Sequence, residues 1–207
     1  MSVRMNWQVT PATADSTAPN ATLAQWVGLG SGTLLQNGVI GDANANPRFF
    51  YEIVGGTGDT GREIDANIGV SNNDYVQVQT SYDNAGRAAF YFVNLTAQTA
   101  WSPRLIVSSK PSSSQAEWIT ERVAVDGKYT KLAKFPTRAF HKQVAEDGYN
   151  NLYQAVGAIS GHYPVDMTSC DRTQVLATAG TIGADDKSSD NVWHAYGPLP
   201  LDSVGCT

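Results

Sequence analysis

The stretch Ala116-Glu-Trp-Ile-Thr-Glu121 places two carboxylates beside a tryptophan in a chain in which only 16% of the residues are charged. Side chains alternate between the two faces of a β-strand, so Glu117, Ile119 and Glu121 would share one face, while Trp118 would point the other way, into an apolar core. A carboxylate on an accessible face can serve as a general base or acid. The spacing leaves both glutamates open as candidates for this role.

Short strands are the elements that must position these side chains. The run at 74–82 alternates between polar and apolar residues with a period of two, and turn residues separate it from the neighbouring runs. The best helical candidate, residues 137–156, is interrupted by Gly148. About 12 strands without a helical pattern predict an all-β fold, either two packed antiparallel sheets or a barrel. The clearest strand signals are at 25–30, 48–54, 74–82, 88–95, 104–109 and 116–125.

Length and charge limit the organisation and the partners of the chain. With 207 residues and a net charge of -5, it is long enough to bury a sizeable core and has no Lys/Arg cluster. We predict one β-sandwich domain over residues 22–207, preceded at 1–21 by an arm or edge strand around Trp7. No apolar run approaches the roughly 20 residues that cross a bilayer. We therefore expect a monomer without nucleic-acid or membrane partners.

Motifs for metal binding are weak in this sequence. His141, His162 and His194 stand far apart and lack the close spacings of zinc sites. The acidic loop at 185–190 lacks the glycine and glutamate of the calcium-binding loop of helical proteins. We predict no metal ligand among these residues.

The glycine-rich segment Gly56-Thr-Gly-Asp-Thr-Gly61 matches the dinucleotide-binding fingerprint. The residues that follow it, 62–70, are typical of a turn and a strand and not of the helix that would hold a pyrophosphate. Asp59-Thr-Gly61 is also similar to the active-site triplet of aspartic peptidases, which need two such aspartates, and this chain has one copy. We predict a hairpin turn here and no cofactor.

Two segments together resemble a known family, the glutamic peptidases or eqolisins. Trp26-Val-Gly-Leu29 is similar to the tryptophan strand W-V-G-I of that family, and Leu34-Leu-Gln-Asn-Gly-Val39 to I-L-Q-T-G-V around its catalytic glutamine. Ala116-Glu-Trp-Ile-Thr-Glu121 is similar to A-E-W-I-V-E, which carries the catalytic glutamate. The resemblance extends over roughly residues 22–198, and this chain would be a divergent member.

The resemblance implies a fold and an activity. The expected fold is a β-sandwich of two curved antiparallel sheets, a concanavalin- or lectin-like jelly roll, with substrate across the concave face. The expected activity is that of a secreted acid endopeptidase acting on polypeptides without a metal or cofactor. Glu117 would activate water as a general base and then protonate the leaving nitrogen as an acid, and the Gln36 amide would stabilise the oxyanion.

Further positions follow from the same resemblance. The segment Arg48-Phe-Phe-Tyr-Glu-Ile53 corresponds to D-A-W-Y-E-W in the family, with Arg48 at the first acid and phenylalanine at the tryptophan. Cys170 and Cys206 do not lie where the bridges of the family do, and they either form one disulfide or remain free thiols. The residues predicted to bind substrate are Trp26, Phe50, Tyr51, Glu52 and Glu121.

The alternative from another class is a non-catalytic carbohydrate-binding module, a lectin-like sandwich whose aromatic and amide side chains contact sugars. A peptidase relative that has lost its activity would have a similar sequence. The discriminating feature is the position of Gln36 relative to Glu117, because a peptidase needs both side chains beside one water.

Overall fold

The computed structural model describes residues 1–43, 45–56, 58–83, 85–107, 109–112, 115–146, 153–198 and 201–204. Within these ranges the chain forms 17 β-strands and one 3₁₀ turn, Val156–Ala158. No helix in the described residues is long and apolar enough to cross a membrane. The strands are β1 (Ser2–Gln8), β2 (Thr22–Leu29), β3 (Leu34–Asp42), β4 (Arg48–Val54), β5 (Ile64–Asp65), β6 (Tyr75–Tyr82), β7 (Arg87–Asn94), β8 (Thr99–Trp101), β9 (Arg104–Ile106), β10 (Ala116–Glu121), β11 (Ala124–Val125), β12 (Lys128–Tyr129), β13 (Arg138–Glu146), β14 (Tyr153–Ala155), β15 (Met167–Thr168), β16 (Val175–Ile182) and β17 (Ser189–Trp193).

The strands assemble into two main antiparallel sheets. The small sheet has the order β10-β2-β3-β4-β5. The large sheet has the order β15-β16-β17-β13-β1-β6-β7-β8, with β14 beside β13 and β9 beside β7. β11 and β12 form a separate hairpin. The prediction of an all-β sandwich is confirmed.

The main core lies between the two sheets and follows from the alternation of side chains along their strands. In β6, Val76 and Val78 are fully buried, while Tyr75, Gln77 and Gln79, which alternate with them, are partly exposed. Phe49 of β4 and Phe92 of β7 meet across the core edge to face, with ring centroids 5.4 Å apart. Burying a side chain of this size contributes about 1.5–3 kcal/mol to the stability of the fold. The face of the small sheet that packs here is called the core face below.

The N-terminal strand corrects one prediction. β1 is an interior strand of the large sheet, paired with β13 on one side and β6 on the other. Its apolar side chains Val3, Met5 and Trp7 alternate with polar ones and are fully buried in the core. The prediction of an arm or edge strand was wrong over Ser2–Gln8. The period-two pattern there extends over only seven residues, which made the strand hard to recognise in the sequence.

The segment with the best helical pattern is also extended. Residues 138–146 form β13, which pairs with β1, β14 and β17. Lys142 has a φ of 51°, and nearby the register against β1 shifts between Arg4 and Asn6. Hydrogen bonding to neighbouring strands therefore overrides the weak helical propensity of this segment. Gly148, which was expected to break a helix, lies outside the described residues.

Two side chains of the small sheet are hydrogen-bonded to the large one. Asn37 of β3 is fully buried, and its Nδ2 donates to the carbonyls of Gln79 and Tyr91 at 3.3 and 3.1 Å. Its Oδ1 accepts a hydrogen bond from Thr80 Oγ1 at 2.8 Å. Trp118 of β10 packs against the core, and its Nε1 donates to the carbonyl of Arg4 at 2.9 Å. These bonds fix the positions of β3 and β10.

Candidate active site

The candidate catalytic residues lie in one row across the small sheet. The register pairs Glu117 of β10 with Gly28 of β2, Gly28 with Gln36 of β3, and Gln36 with Glu52 of β4. Residues directly opposite one another in paired strands point to the same face. All four therefore share the face opposite the core face, which is called the site face below.

Gly28 is the residue between the two candidate catalytic residues in the row, and it has no side chain. Adjacent strands are about 4.8 Å apart, so the backbones of Glu117 and Gln36 are about 10 Å apart with β2 between them. A Cβ on Gly28 would lie 2.6 Å from Cζ3 of Trp26, 3.0 Å from Cδ1 of Leu34 and 3.2 Å from Oε2 of Glu117. These three side chains thus approach the backbone of Gly28 closely, and a larger residue there would displace them.

Gln36 is 7% exposed and is oriented by a neighbouring carboxylate. Its Nε2 donates to Oε2 of Glu52 at 2.6 Å. Burial raises the pKa of Glu52, the bond from Gln36 lowers it, and the nearby charges of Glu63 and Asp59 raise it again. Glu52 was predicted to bind substrate, and the structure places its carboxyl group on the glutamine instead.

Glu117 is half-buried at the opposite end of the row. Burial raises the pKa of Glu117, and a hydrogen bond from the Gln115 side chain to its Oε1 lowers it. A raised pKa makes the Glu117 carboxylate a stronger base toward water. No motif in the sequence pointed to Gln115, which lies just before β10.

Glu121 also lies on the site face, but it occupies a different row and has a different partner. The register pairs it with Ala24, four residues along β2 from Gly28. Its Oε1 accepts a hydrogen bond from Trp26 Nε1 at 2.8 Å. Burial raises the pKa of Glu121 to about 7, the bond from Trp26 opposes this, and the charges of Glu52, Glu63 and Glu117 add to it. Its position therefore fits a support for the indole better than a partner of Gln36.

An apolar cluster forms the floor of the site face. Trp26 and Phe50 are 5% and 2% exposed and pack with Ala24, Ile40 and Ile119. The indole of Trp26 runs along β2 from Glu121 to Gly28. The roles of Trp26 and Phe50 in binding substrate stay predictions, because little of either side chain is accessible.

Tyr51 requires a correction. It neighbours Glu52 in sequence and therefore points to the core face, where it stacks on Phe90 with ring centroids 5.0 Å apart. It also contacts Trp101 at 6.2 Å between centroids. The prediction that Tyr51 binds substrate with the site-face residues was wrong, since the strand alternation places its ring inside the sandwich.

The remaining sequence motifs lie away from this row. The strands on either side of the glycine-rich motif, β4 and β5, pair as an antiparallel hairpin, and Asp59 accepts hydrogen bonds from the amides of Gly55 and Gly61. In the described part of the chain, no three His, Cys, Asp or Glu side chains are grouped so as to hold a metal ion. The three histidines are exposed and separate. Cys170 is disulfide-bonded; Cys206 lies outside the described residues, so their pairing stays a prediction.

A comparison with protein families identifies the family of the chain. The model of the Peptidase A4 family matches residues 1–189 of the chain, which include every residue of the row. The chain belongs to the peptidase A4 family. It is a glutamic-type peptidase, a hydrolase of the eqolisin group with a β-sandwich fold.

Solved structures agree with the fold of this peptidase. The chain is similar to scytalido-glutamic peptidase bound to a peptide-based transition-state analogue, with 17% identity, a TM-score of 0.69, and coverage of 93% of this chain and 92% of the other. It is also similar to aspergilloglutamic peptidase from Aspergillus niger, with 21% identity, a TM-score of 0.68, and coverage of 84% and 99%. SCP-B, an eqolisin in complex with the tripeptide Ala-Ile-His, has 15% identity, a TM-score of 0.67, and coverage of 93% and 92%. No curated protein matches the sequence.

Family membership favours the peptidase hypothesis over the lectin-like alternative. A peptidase acts on polypeptides. The register places Gln36 and Glu117, the residues that the sequence motifs predict to be catalytic, in one row of the site face.

Proposed function

We propose that this peptidase is an endopeptidase in which Glu117 and Gln36 form a catalytic dyad. The observation that carries the proposal is their common row across β10, β2 and β3, in which Gly28 is the residue between them and has no side chain. A water molecule and the carbonyl of a peptide bond would bind on the site face over this row. The apolar cluster of Trp26 and Phe50 would form its floor.

The chemistry proceeds through a tetrahedral intermediate. The Glu117 carboxylate accepts a proton from water as the water oxygen bonds to the peptide carbonyl carbon, and the carbonyl oxygen becomes an oxyanion. The Gln36 Nε2 carries two hydrogens, so it can donate one to Glu52 and the other to this oxyanion. The proton on Glu117 then passes to the leaving nitrogen as the carbon–nitrogen bond breaks. The products are a carboxyl group and an amine, and Glu117 is ionised again.

The pKa directions at the site suggest a mildly acidic optimum. Glu117 must be ionised to act as a base, so activity should fall as the pH drops through its raised pKa. As the pH rises through about 7, Glu121 loses its proton and adds a negative charge to a face on which an oxyanion must form. We therefore propose an optimum between the raised pKa of Glu117 and a pH of about 7, on unfolded polypeptides and in a secreted setting.

Cleavage of a denatured protein and of a fluorogenic peptide, measured across acidic pH, tests this proposal. Gln36→Ala is expected to lower kcat by about 10²- to 10³-fold, as the loss of an oxyanion donor does. Glu117→Gln removes the base and is expected to lower kcat by at least about 10²-fold. Asp126→Asn, which removes an exposed carboxylate from the turn between β11 and β12, is the control and should retain activity. Full activity in a folded Gln36→Ala or Glu117→Gln variant would remove that residue from the mechanism.

A further inference from the structure

The Gln36 amide has two ends that must not be exchanged. The proposed reaction needs an Nε2 hydrogen at the oxyanion, whereas Oε1 can only accept. Turning the amide by 180° would set an oxygen lone pair against the oxyanion and repel it. The backbone on either side is held in place, because the next residue, Asn37, is anchored in the large sheet by three hydrogen bonds. Something must also fix the rotation of the side chain.

Glu52 is in the position to do this. It lies directly opposite Gln36 in the register of β3 and β4. Its Oε2 accepts a hydrogen bond of 2.6 Å from Gln36 Nε2. In its ionised form Glu52 has no hydrogen to donate, so it can bond the Nε2 end of the amide and not the Oε1 end. The bond therefore stabilises one of the two amide orientations and disfavours the other.

We propose that Glu52 is a positioning residue that holds the Gln36 amide in its reactive orientation, with one Nε2 hydrogen on Glu52 and the other directed to the oxyanion. This inference rests on the proposed function of Gln36. It replaces the prediction that Glu52 binds substrate. The hydrogen bond to Glu52 also occupies one Nε2 hydrogen, so that this hydrogen does not bind water. The Oε1 atom of Gln36 is then left to accept a hydrogen bond from the attacking water.

Kinetics of two Glu52 variants test the proposal against a role in substrate binding. Glu52→Leu removes the acceptor and is expected to lower kcat by about 10- to 100-fold, as the misplacement of a catalytic group does, with KM changed by less than about twofold. Glu52→Gln can accept from Gln36 in one orientation and donate to it in the other, so an intermediate loss of kcat is expected. Asp65→Asn, which removes an exposed carboxylate from neighbouring β5, is the control and should keep the wild-type kcat.

A double-mutant cycle gives the decisive result, since Glu52 should act only through Gln36. In the Gln36→Ala background, the further change Glu52→Leu is expected to lower kcat by less than about twofold. If it lowers kcat as much as in the wild-type background, or if Glu52→Leu raises KM at unchanged kcat, the proposal is overturned. Thermal unfolding confirms that each variant folds; if Glu52→Leu does not fold, the same cycle is measured with Glu52→Gln.

The same set of variants separates this proposal from the proposed function. If Gln36→Ala keeps full activity, the dyad itself is wrong and Glu52 has no amide to orient. If Gln36→Ala is inactive while Glu52→Leu and Glu52→Gln keep the wild-type kcat, the dyad stands and only the positioning role of Glu52 fails.

Discussion

The core face and the site face of the small sheet are made by the same strands and have opposite chemistry. On the core face, Leu35, Phe49 and Val27 are fully buried in one apolar cluster. Asn37 on that face is hydrogen-bonded at both ends of its amide. A polar group in a core is tolerated when its bonds are complete, so this face stabilises the fold without reactive groups.

The site face keeps ionisable groups where water is partly excluded. Burial raises the pKa of Glu52, Glu117 and Glu121, and the charges of neighbouring carboxylates raise the pKa of Glu121 further. Such a cluster opposes folding at neutral pH and is typical of a functional site. We expect the core face to contribute more to stability and the site face to carry the reactivity. Changes on the two faces should therefore affect different measurements.

The largest expected effect is on the core face. Phe49→Ala removes a fully buried ring that packs edge to face on Phe92. We expect the free energy of unfolding to fall by about 3–5 kcal/mol in urea titrations, because the lost burial is compounded by a cavity. Molecules that remain folded should keep the wild-type kcat.

The control for this change is Ile106→Ala, since Ile106 is 76% exposed. It should alter the free energy of unfolding by no more than about 0.5 kcal/mol. A loss below about 1 kcal/mol in Phe49→Ala would contradict the assignment of this face as the source of stability.

The next effect concerns Gly28 on the site face. Gly28→Ala places a methyl group 2.6 Å from Trp26 Cζ3, 3.0 Å from Leu34 Cδ1 and 3.2 Å from Glu117 Oε2. We expect kcat/KM to fall by about 10²-fold, because the methyl group displaces Glu117 and the indole beside it, and stability to fall by about 1–3 kcal/mol from overpacking.

Gly69→Ala is the matched control, because a Cβ there would have no heavy atom within 4 Å. Its activity should equal that of the wild type. Wild-type kcat/KM in Gly28→Ala would show that the space above Gly28 takes no part in the reaction.

The smallest effect is a change in the pH dependence of stability. The pKa of Glu121 is raised to about 7 in the folded state, so its contribution to stability is fully present below its unfolded pKa and is lost as the pH rises through about 7. Glu121→Gln keeps an acceptor for Trp26 and cannot ionise. Between pH 4 and pH 8, we expect the variant to gain about 1–2 kcal/mol relative to the wild type, after allowing for partial solvent screening.

Urea unfolding at both pH values measures this difference. Asp126→Asn, at an exposed turn between β11 and β12, provides the comparison and should show a much smaller pH-dependent change. If the free energy of unfolding falls by the same amount from pH 4 to pH 8 in the wild type and in Glu121→Gln, the ionisation of Glu121 does not destabilise the folded state.

Much of this contrast between faces follows from local sequence patterns. Alternation in the stretch 116–121 separates Glu117 and Glu121 from Trp118, and the structure places Trp118 on the core face. The predicted strand at 48–54 has the observed bounds of β4. The same alternation assigns Tyr51 to the core face, a step that the family resemblance obscured.

Long-range pairing could not be read from the sequence. Trp26 and Glu121 bond across 95 positions of the chain, and no local pattern specifies that β10 lies beside β2. The bond between Gln36 and Glu52 likewise depends on the register of β3 and β4, because a slip of one residue would move one of the two side chains to the other face. Gly28 is part of the Trp26–Leu29 motif, but its place between Gln36 and Glu117 follows only from the pairing of β2 with β3 and β10.

The most direct test of the central claim is a crystal structure of the peptidase with a peptide analogue that carries a tetrahedral centre in place of the scissile carbonyl. The account predicts that one oxygen of this centre lies within about 3.2 Å of Gln36 Nε2 and a second within about 3.2 Å of the Glu117 carboxyl group. A tetrahedral centre bound beside Glu121, with Gln36 and Glu117 both out of hydrogen-bonding reach, would contradict it.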